Sequence, residues 1–261
     1  LPAGERDARS MEEFLEIQKI WEQVLERYPD RLLPVRTVEE MERCFREEKT
    51  GLLLTIEDGG VCGQELSNVR KVFDLGVRLI TLTWNYENGF AYPNGSEGGL
   101  KPLGIEAVEE MNRLGILVDV SHLSDDGFWD VQKHSRRPFL ASHSNARAVT
   151  GHQRNLTDEM VRAVAQSGGI IGLNFAPAFL GEDERSRVSD MVRHVLHIRA
   201  LGGADVLALG SDFDGIRGTL EIDGPDKFVL LWEALKKAGL SETELDKMWH
   251  GNGERILREV L

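Results

Sequence analysis

The sequence predicts an α/β fold of the TIM (β/α)8-barrel type, and three observations carry that prediction. Short apolar runs alternate with stretches of helical periodicity along nearly the whole chain, the pattern of a parallel sheet with right-handed crossovers. Four of the runs give out onto a residue that can bind metal or move a proton: Glu57, His122, His143 and Asp212. No Gly-rich phosphate-binding turn follows the first strand, which disfavours the open doubly wound sheet. A parallel barrel gathers the carboxyl ends of its strands at one mouth, where residues far apart in sequence meet.

Taken in order, Phe14, Ile17, Ile20, Trp21, Val24 and Leu25 fall at spacings of three and four, predicting a helix over 10–28 that Pro29 and Asp30 end. Thr37 and Glu40 have the spacing of a capping box and open a helix to about residue 49. The run 52–56 is the strand before Glu57. A helix over 65–75 stops at Gly76, and the β-branched, apolar run 78–84 is the next strand. A Gly/Asn-rich loop follows over 85–99, long enough to form a lid or one wall of a site. The alternation then becomes regular: helix 104–114, strand to His122, helix 124–134, strand to His143, helix 157–166, strand 170–174, helix 189–201 and the strand before Asp212. Helices near 225–238, 241–250 and 252–260 close the chain. About six strands are identifiable where a closed barrel has eight.

One domain over residues 1–261 is expected, since no linker or low-complexity tract divides the chain. Apolar residues make up 41% of it, enough for a sizeable core, and no run approaches the ~18 apolar residues of a membrane helix. A net charge of −13 disfavours nucleic acid or an anionic membrane as partner. The two cysteines, Cys44 and Cys62, are too few for a disulfide framework or a four-thiolate zinc site. Reduced thiols and the lack of a signal-peptide pattern lead to the expectation of a soluble, cytoplasmic protein. The chain begins without Met, and with the strand shortfall this leads to the expectation that the barrel's first two strands are missing.

Strand alternation places Thr55 and Leu53 below Glu57, Val120 and Val118 below His122, Ala141 and Phe139 below His143, and Gly210 and Ala208 below Asp212. These are mostly small or branched residues such as a barrel interior holds. A single strand-end histidine is more often satisfied by backbone hydrogen bonds than by metal, but four such ends together favour a hydrolytic metal centre. His134, His194, His197 and His250 fall on helices, where a solvated face is expected, and His152 is a weaker site candidate in a loop. Asp214 ranks below Asp212, because Asp-Gly is a common turn pair. Arg154 lies in the loop after the His143 strand and can act either as a bidentate carboxylate clamp or in a surface ion pair. His-Glu-x-x-His, Cys-x-x-Cys, Gly-x-Ser-x-Gly and Walker motifs are absent, which disfavours a helix-borne zinc protease, a serine hydrolase and a P-loop enzyme.

At these residues the sequence resembles the zinc-dependent membrane (renal-type) dipeptidase family, whose bacterial members are soluble. The resemblance runs from Glu26-Arg27-Tyr28-Pro29 through Thr55-Ile56-Glu57-Asp58-Gly59-Gly60, Leu79-Ile80-Thr81-Leu82-Thr83, Asn112-Arg113-Leu114-Gly115, Asp119-Val120-Ser121-His122, Ser142-His143-Ser144 and Arg154-Asn155 to Gly210-Ser211-Asp212-Phe213-Asp214-Gly215. It implies a (β/α)8 barrel with two zinc ions, and a homodimer. It further implies Glu57 as the carboxylate bridging both metals and His122 and His143 as ligands of the second zinc. Asp212 would be the acid/base that also meets substrate, and Arg154 the group that receives the dipeptide's free carboxylate. Two departures stand out. The family's His-x-Asp pair, which supplies the first zinc, occurs nowhere in this chain, and Trp84 stands where animal members carry a histidine. The expected function is zinc-dependent dipeptide hydrolysis by an activated water. The alternatives are a metal-dependent hydrolase of a lactam, lactone or cyclic amide, and a non-catalytic barrel-like module.

Overall fold

A computed structural model describes the backbone from residue 3 and the side chains from Ser10 onward. Residues up to Arg137 together with Leu257–Leu261 form one compact unit, and Pro138–Ile256 form a second.

In the first unit three parallel strands, Leu54–Glu57, Val77–Thr81 and Leu117–Asp119, lie side by side in chain order. Their registers put Glu57, Thr81 and Asp119 in one row at the carboxyl ends. The crossovers are the helices Ser67–Asp74 and Pro102–Leu114. Gly115 closes the second of these in the left-handed region at φ +84, where a side chain would also meet the Val260 carbonyl. Val69, Val72, Ile80, Val108, Met111 and Val118 are fully buried between strands and helices. The helix over Ala3–Arg27 begins earlier than its apolar spacing indicates. At Thr37 the hydroxyl accepts from Glu40 N–H, but the Glu40 carboxylate turns to the Arg36 backbone N–H and guanidinium, so the box is only half formed. A short parallel pair, Leu32–Pro34 with Thr50–Leu52, was not predicted. Three residues ending in Pro34 carry no period to read.

The 85–99 loop is held from within. The amide of buried Asn88 donates to Asp58 (2.6 Å) and to the Leu82 carbonyl (2.8 Å), and its oxygen accepts from the N–H groups of Phe90 and Ala91.

In the second unit Ile171–Leu173 pairs in parallel with Leu207–Leu209, and Ala141 bridges to Ile171 on the other side. The predicted His143 strand is therefore reduced to one bridged position, continued by hydrogen bonds from Gly172 N to Ala141 O and from Ser144 N to Gly172 O. Neighbouring backbones pass unusually close there: a Cβ on either Gly172 or Gly210 would sit 1.9 Å from the Ser142 carbonyl oxygen. Helix Asp158–Gln166, capped by Thr157, precedes the Ile171–Leu173 strand, and helix Val188–Gly202 lies between the two strands in sequence. Near the end, Glu242–Asp246 opens with a complete capping box at Ser241 and runs into a wide π-turn over Lys247–Gly251, where one regular helix was expected. Among the described residues no helix is long and apolar enough to cross a membrane.

Candidate functional site

In the first unit the Leu54–Glu57 strand ends on Glu57, whose carboxylate is about half exposed. The Leu117–Asp119 strand ends earlier than expected, so His122 stands on a turn beyond it, in the left-handed region at φ +67. Strand alternation therefore stops at Asp119 and does not place Val120 beneath His122. A non-glycine residue in that region costs roughly 1–2 kcal/mol. The turn is pinned by the His122 carbonyl, which accepts from Asn94 N–H at 2.6 Å and Thr83 Oγ1 at 3.2 Å. It is pinned again by buried Asp119, which takes Thr81 Oγ1 at 2.6 Å and Ser121 N–H at 3.0 Å. So held, the buried His122 ring presents Nε2 to Glu57 Oε1 at 3.2 Å, while its Nδ1 lies 3.1 Å from Asn85 Oδ1. Trp84, well exposed, lies beside it with ring centroids 6.4 Å apart, and Tyr86 packs edge-on against Trp84.

In the second unit His143 is buried and its Nδ1 lies 2.7 Å from Ser142 Oγ. Asp212 stands past the Leu207–Leu209 strand, again left-handed at φ +61. Asn174 Nδ2 donates to Asp212 Oδ2 at 3.1 Å. That amide is itself locked, because its Oδ1 accepts from Ala176 N–H at 2.6 Å and its backbone exchanges hydrogen bonds with the Asn145 side chain. Arg154 is buried with its guanidinium over the Phe179 ring, 5.4 Å to the centroid. His152 packs tilted against the same ring at 4.7 Å between centroids and accepts from Arg154 N–H. Burial, with Arg154 and Arg147 nearby, holds its pKa below the ordinary imidazole value. Asp214 is exposed in a turn closed by Gly215 N–H on the Asp212 carbonyl, as the Asp-Gly pair indicated.

Three residues that the sequence reading passed over shape these sites: Asn85, Asn145 and Asn174. Asn174 ends an apolar run just as His122 and Asp212 do, so the same rule extended to amides would have found it. Asn85 has no such local signal. Of the helix histidines, His134, His197 and His250 pair with Glu109, Asp158 and Glu254 at or near the surface. His194 departs from expectation. It is fully buried, with Nδ1 accepting from Ala146 N–H and Nε2 against the Leu180 carbonyl, and burial pushes its pKa down to about 4. Burial likewise raises the Cys62 thiol to about 12, which makes it unreactive.

A sequence profile described as membrane dipeptidase, peptidase family M19, matches residues 1–261. A dipeptidase, tcpJ, of Claviceps purpurea is 33% identical over 99% of this chain, which spans 64% of that protein's length. Among solved structures, the metallo peptidase dipeptidase AC superposes with a TM-score of 0.90 at 29% identity, over 94% of this chain and 76% of its own. A Rhodobacter sphaeroides metallo peptidase, solved with a phosphinate mimic of the dipeptide L-Ala-D-Ala, gives 0.86 at 31% identity, over 93% and 72%. The α/β fold is thus of the (β/α)8-barrel type that the sequence predicts, and the family is one of hydrolases that act on peptide bonds. The chain belongs to the membrane dipeptidase family, peptidase family M19.

Proposed function

We propose that this protein hydrolyses dipeptides with the help of a zinc ion held by Glu57, His122 and His143, a carboxylate and two imidazoles of the kind that bind zinc. The observation that carries this reading is the Glu57–His122 pair. The Asn85 oxygen can only accept, so it fixes the hydrogen on Nδ1 and leaves Nε2, in the neutral ring, with a lone pair facing a carboxylate oxygen at 3.2 Å. Two acceptors at that distance call for a proton or a metal ion between them, and a carboxylate with an imidazole suits zinc. Of the ligands that the resemblance implies for two zinc ions, this chain supplies these three and contains no His-x-Asp pair.

When bound, zinc supplies Lewis acidity toward the scissile carbonyl and lowers the pKa of water toward neutrality. Asp212 takes up the proton of the attacking water and passes it to the leaving amine, and Asn174 orients its carboxylate for that transfer. Arg154 receives the substrate's free carboxylate by paired hydrogen bonds, selecting dipeptides over longer or blocked chains. The dipeptidase named among the relatives and the dipeptide mimic held by the Rhodobacter sphaeroides enzyme support this substrate class. The test is Arg154→Ala and Arg154→Lys assayed on dipeptides and on their C-terminal amides. KM should rise at least about tenfold for the free acids and hardly at all for the amides, with partial recovery in the lysine variant. Equal effects on both substrates, or faster turnover of a lactone or lactam than of any dipeptide, would defeat the reading.

A further inference from the structure

We propose that Asn85 is a positioning residue: its side-chain oxygen selects the His122 tautomer whose Nε2 is available to a metal. The inference rests on the reading of His122 as a ligand. It goes beyond that reading by assigning the choice of nitrogen to a residue on the neighbouring strand's exit.

The backbone of His122 is held by Asn94 N–H and Thr83 Oγ1 on its carbonyl, but neither contact reaches the ring. Ring rotation and tautomer are a separate matter. A neutral imidazole carries its hydrogen on one nitrogen and its lone pair on the other, and the partner of one decides what the other can do. At Nδ1 that partner is Asn85 Oδ1, 3.1 Å away. In the neutral ring Nδ1 then donates to that oxygen, and the lone pair falls on Nε2, the nitrogen 3.2 Å from Glu57. The opposite tautomer would place the hydrogen where a metal has to bind and leave Nδ1 facing an oxygen, two acceptors in contact. Partners of this kind typically change metal affinity by 10–100-fold. Asn85 is exposed, so water competes for the same hydrogen bond and the effect belongs at the low end of that range.

The experiment is a zinc titration of the full chain against a chromophoric chelator, for the wild type, Asn85→Leu and Asn85→Asp. Leucine keeps the branched shape and heavy-atom count, removes the acceptor and hinders a replacing water, and aspartate keeps an acceptor. Asn85→Leu should bind zinc about tenfold more weakly, and Asn85→Asp as tightly as the wild type or more so. Wild-type affinity in Asn85→Leu overturns the proposal, and so does a loss in Asn85→Asp as large as in Asn85→Leu. Wild-type protein that takes up no zinc would instead defeat the reading of the whole site, and the proposal with it, which separates that failure from the proposal's own.

Discussion

His122 and Asp212 occupy equivalent places in their two units, one backbone device that carries an imidazole in the first and a carboxylate in the second. Each stands just past a short parallel strand, at φ +67 and +61, where most side chains are disfavoured. Each is met by an asparagine amide, but by opposite ends of it. Asn85 offers its oxygen to the imidazole and Asn174 its NH2 to the carboxylate. The donor nitrogen of a ligand needs its other nitrogen fixed by an acceptor, whereas a proton-carrying carboxylate needs a donor to hold its orientation. The anchoring differs too. Asn174 cannot turn over, because Ala176 N–H already occupies its oxygen. On the proposed reading, the two tethers would prepare His122 to bind a cation and Asp212 to move a proton.

The largest expected effect tests that division of roles. Asp212→Asn should lower kcat by about 10²- to 10⁴-fold while zinc content stays unchanged, and asparagine tolerates the left-handed backbone, so the fold persists. Loss of zinc in this variant would make Asp212 a ligand and dissolve the contrast.

His194 sharpens the comparison as a histidine whose two nitrogens are both engaged within its own unit. It should leave zinc binding untouched and act on stability. Its folded pKa of about 4 lies below the unfolded value of about 6.5. Between these the unfolded chain binds the extra proton, so stability is complete above pH ~6.5 and is lost as pH falls toward 4. The loss amounts to about 3 kcal/mol. His194→Gln should flatten the acid limb in urea unfolding measured across pH, and an unchanged limb would refute the assignment.

A smaller effect is expected at Asn174. Asn174→Leu should cost about tenfold in kcat, roughly 1.4 kcal/mol, with KM and zinc affinity held. A change in KM alone would mean that Asn174 meets substrate instead of orienting Asp212. The smallest is Asp214→Ala. An exposed turn residue should shift stability by no more than about 0.5 kcal/mol and leave turnover as it was, and a loss of turnover would move the acid/base role toward Asp214.

Much of this was legible in the sequence where the signal is local. Thr157, Ser124 and Ser241 cap the helices that their positions announce, and the apolar runs mark where the strands lie. The strand exits were found because a polar group interrupts each run. Their left-handed turns were not, since neither His122 nor Asp212 is a glycine and the strain is stabilised by distant partners such as Asn94 and Thr83. His194 was misread, although Met191 and Ile198 set it on an apolar stripe at helical spacing, a face that the structure buries. Asn85 was out of reach, because its partner is 37 residues away in sequence and meets it only through strand pairing.

Zinc content and dipeptide turnover measured together, on the wild type and on His122→Ala, His143→Ala and Glu57→Gln, bear most directly on the site as a whole. Wild-type protein should hold zinc, hydrolyse dipeptides and lose both on chelation, and each variant should bind zinc far more weakly with turnover falling in step. Turnover that survives complete removal of metal, or any of the three variants keeping wild-type zinc affinity, would contradict it.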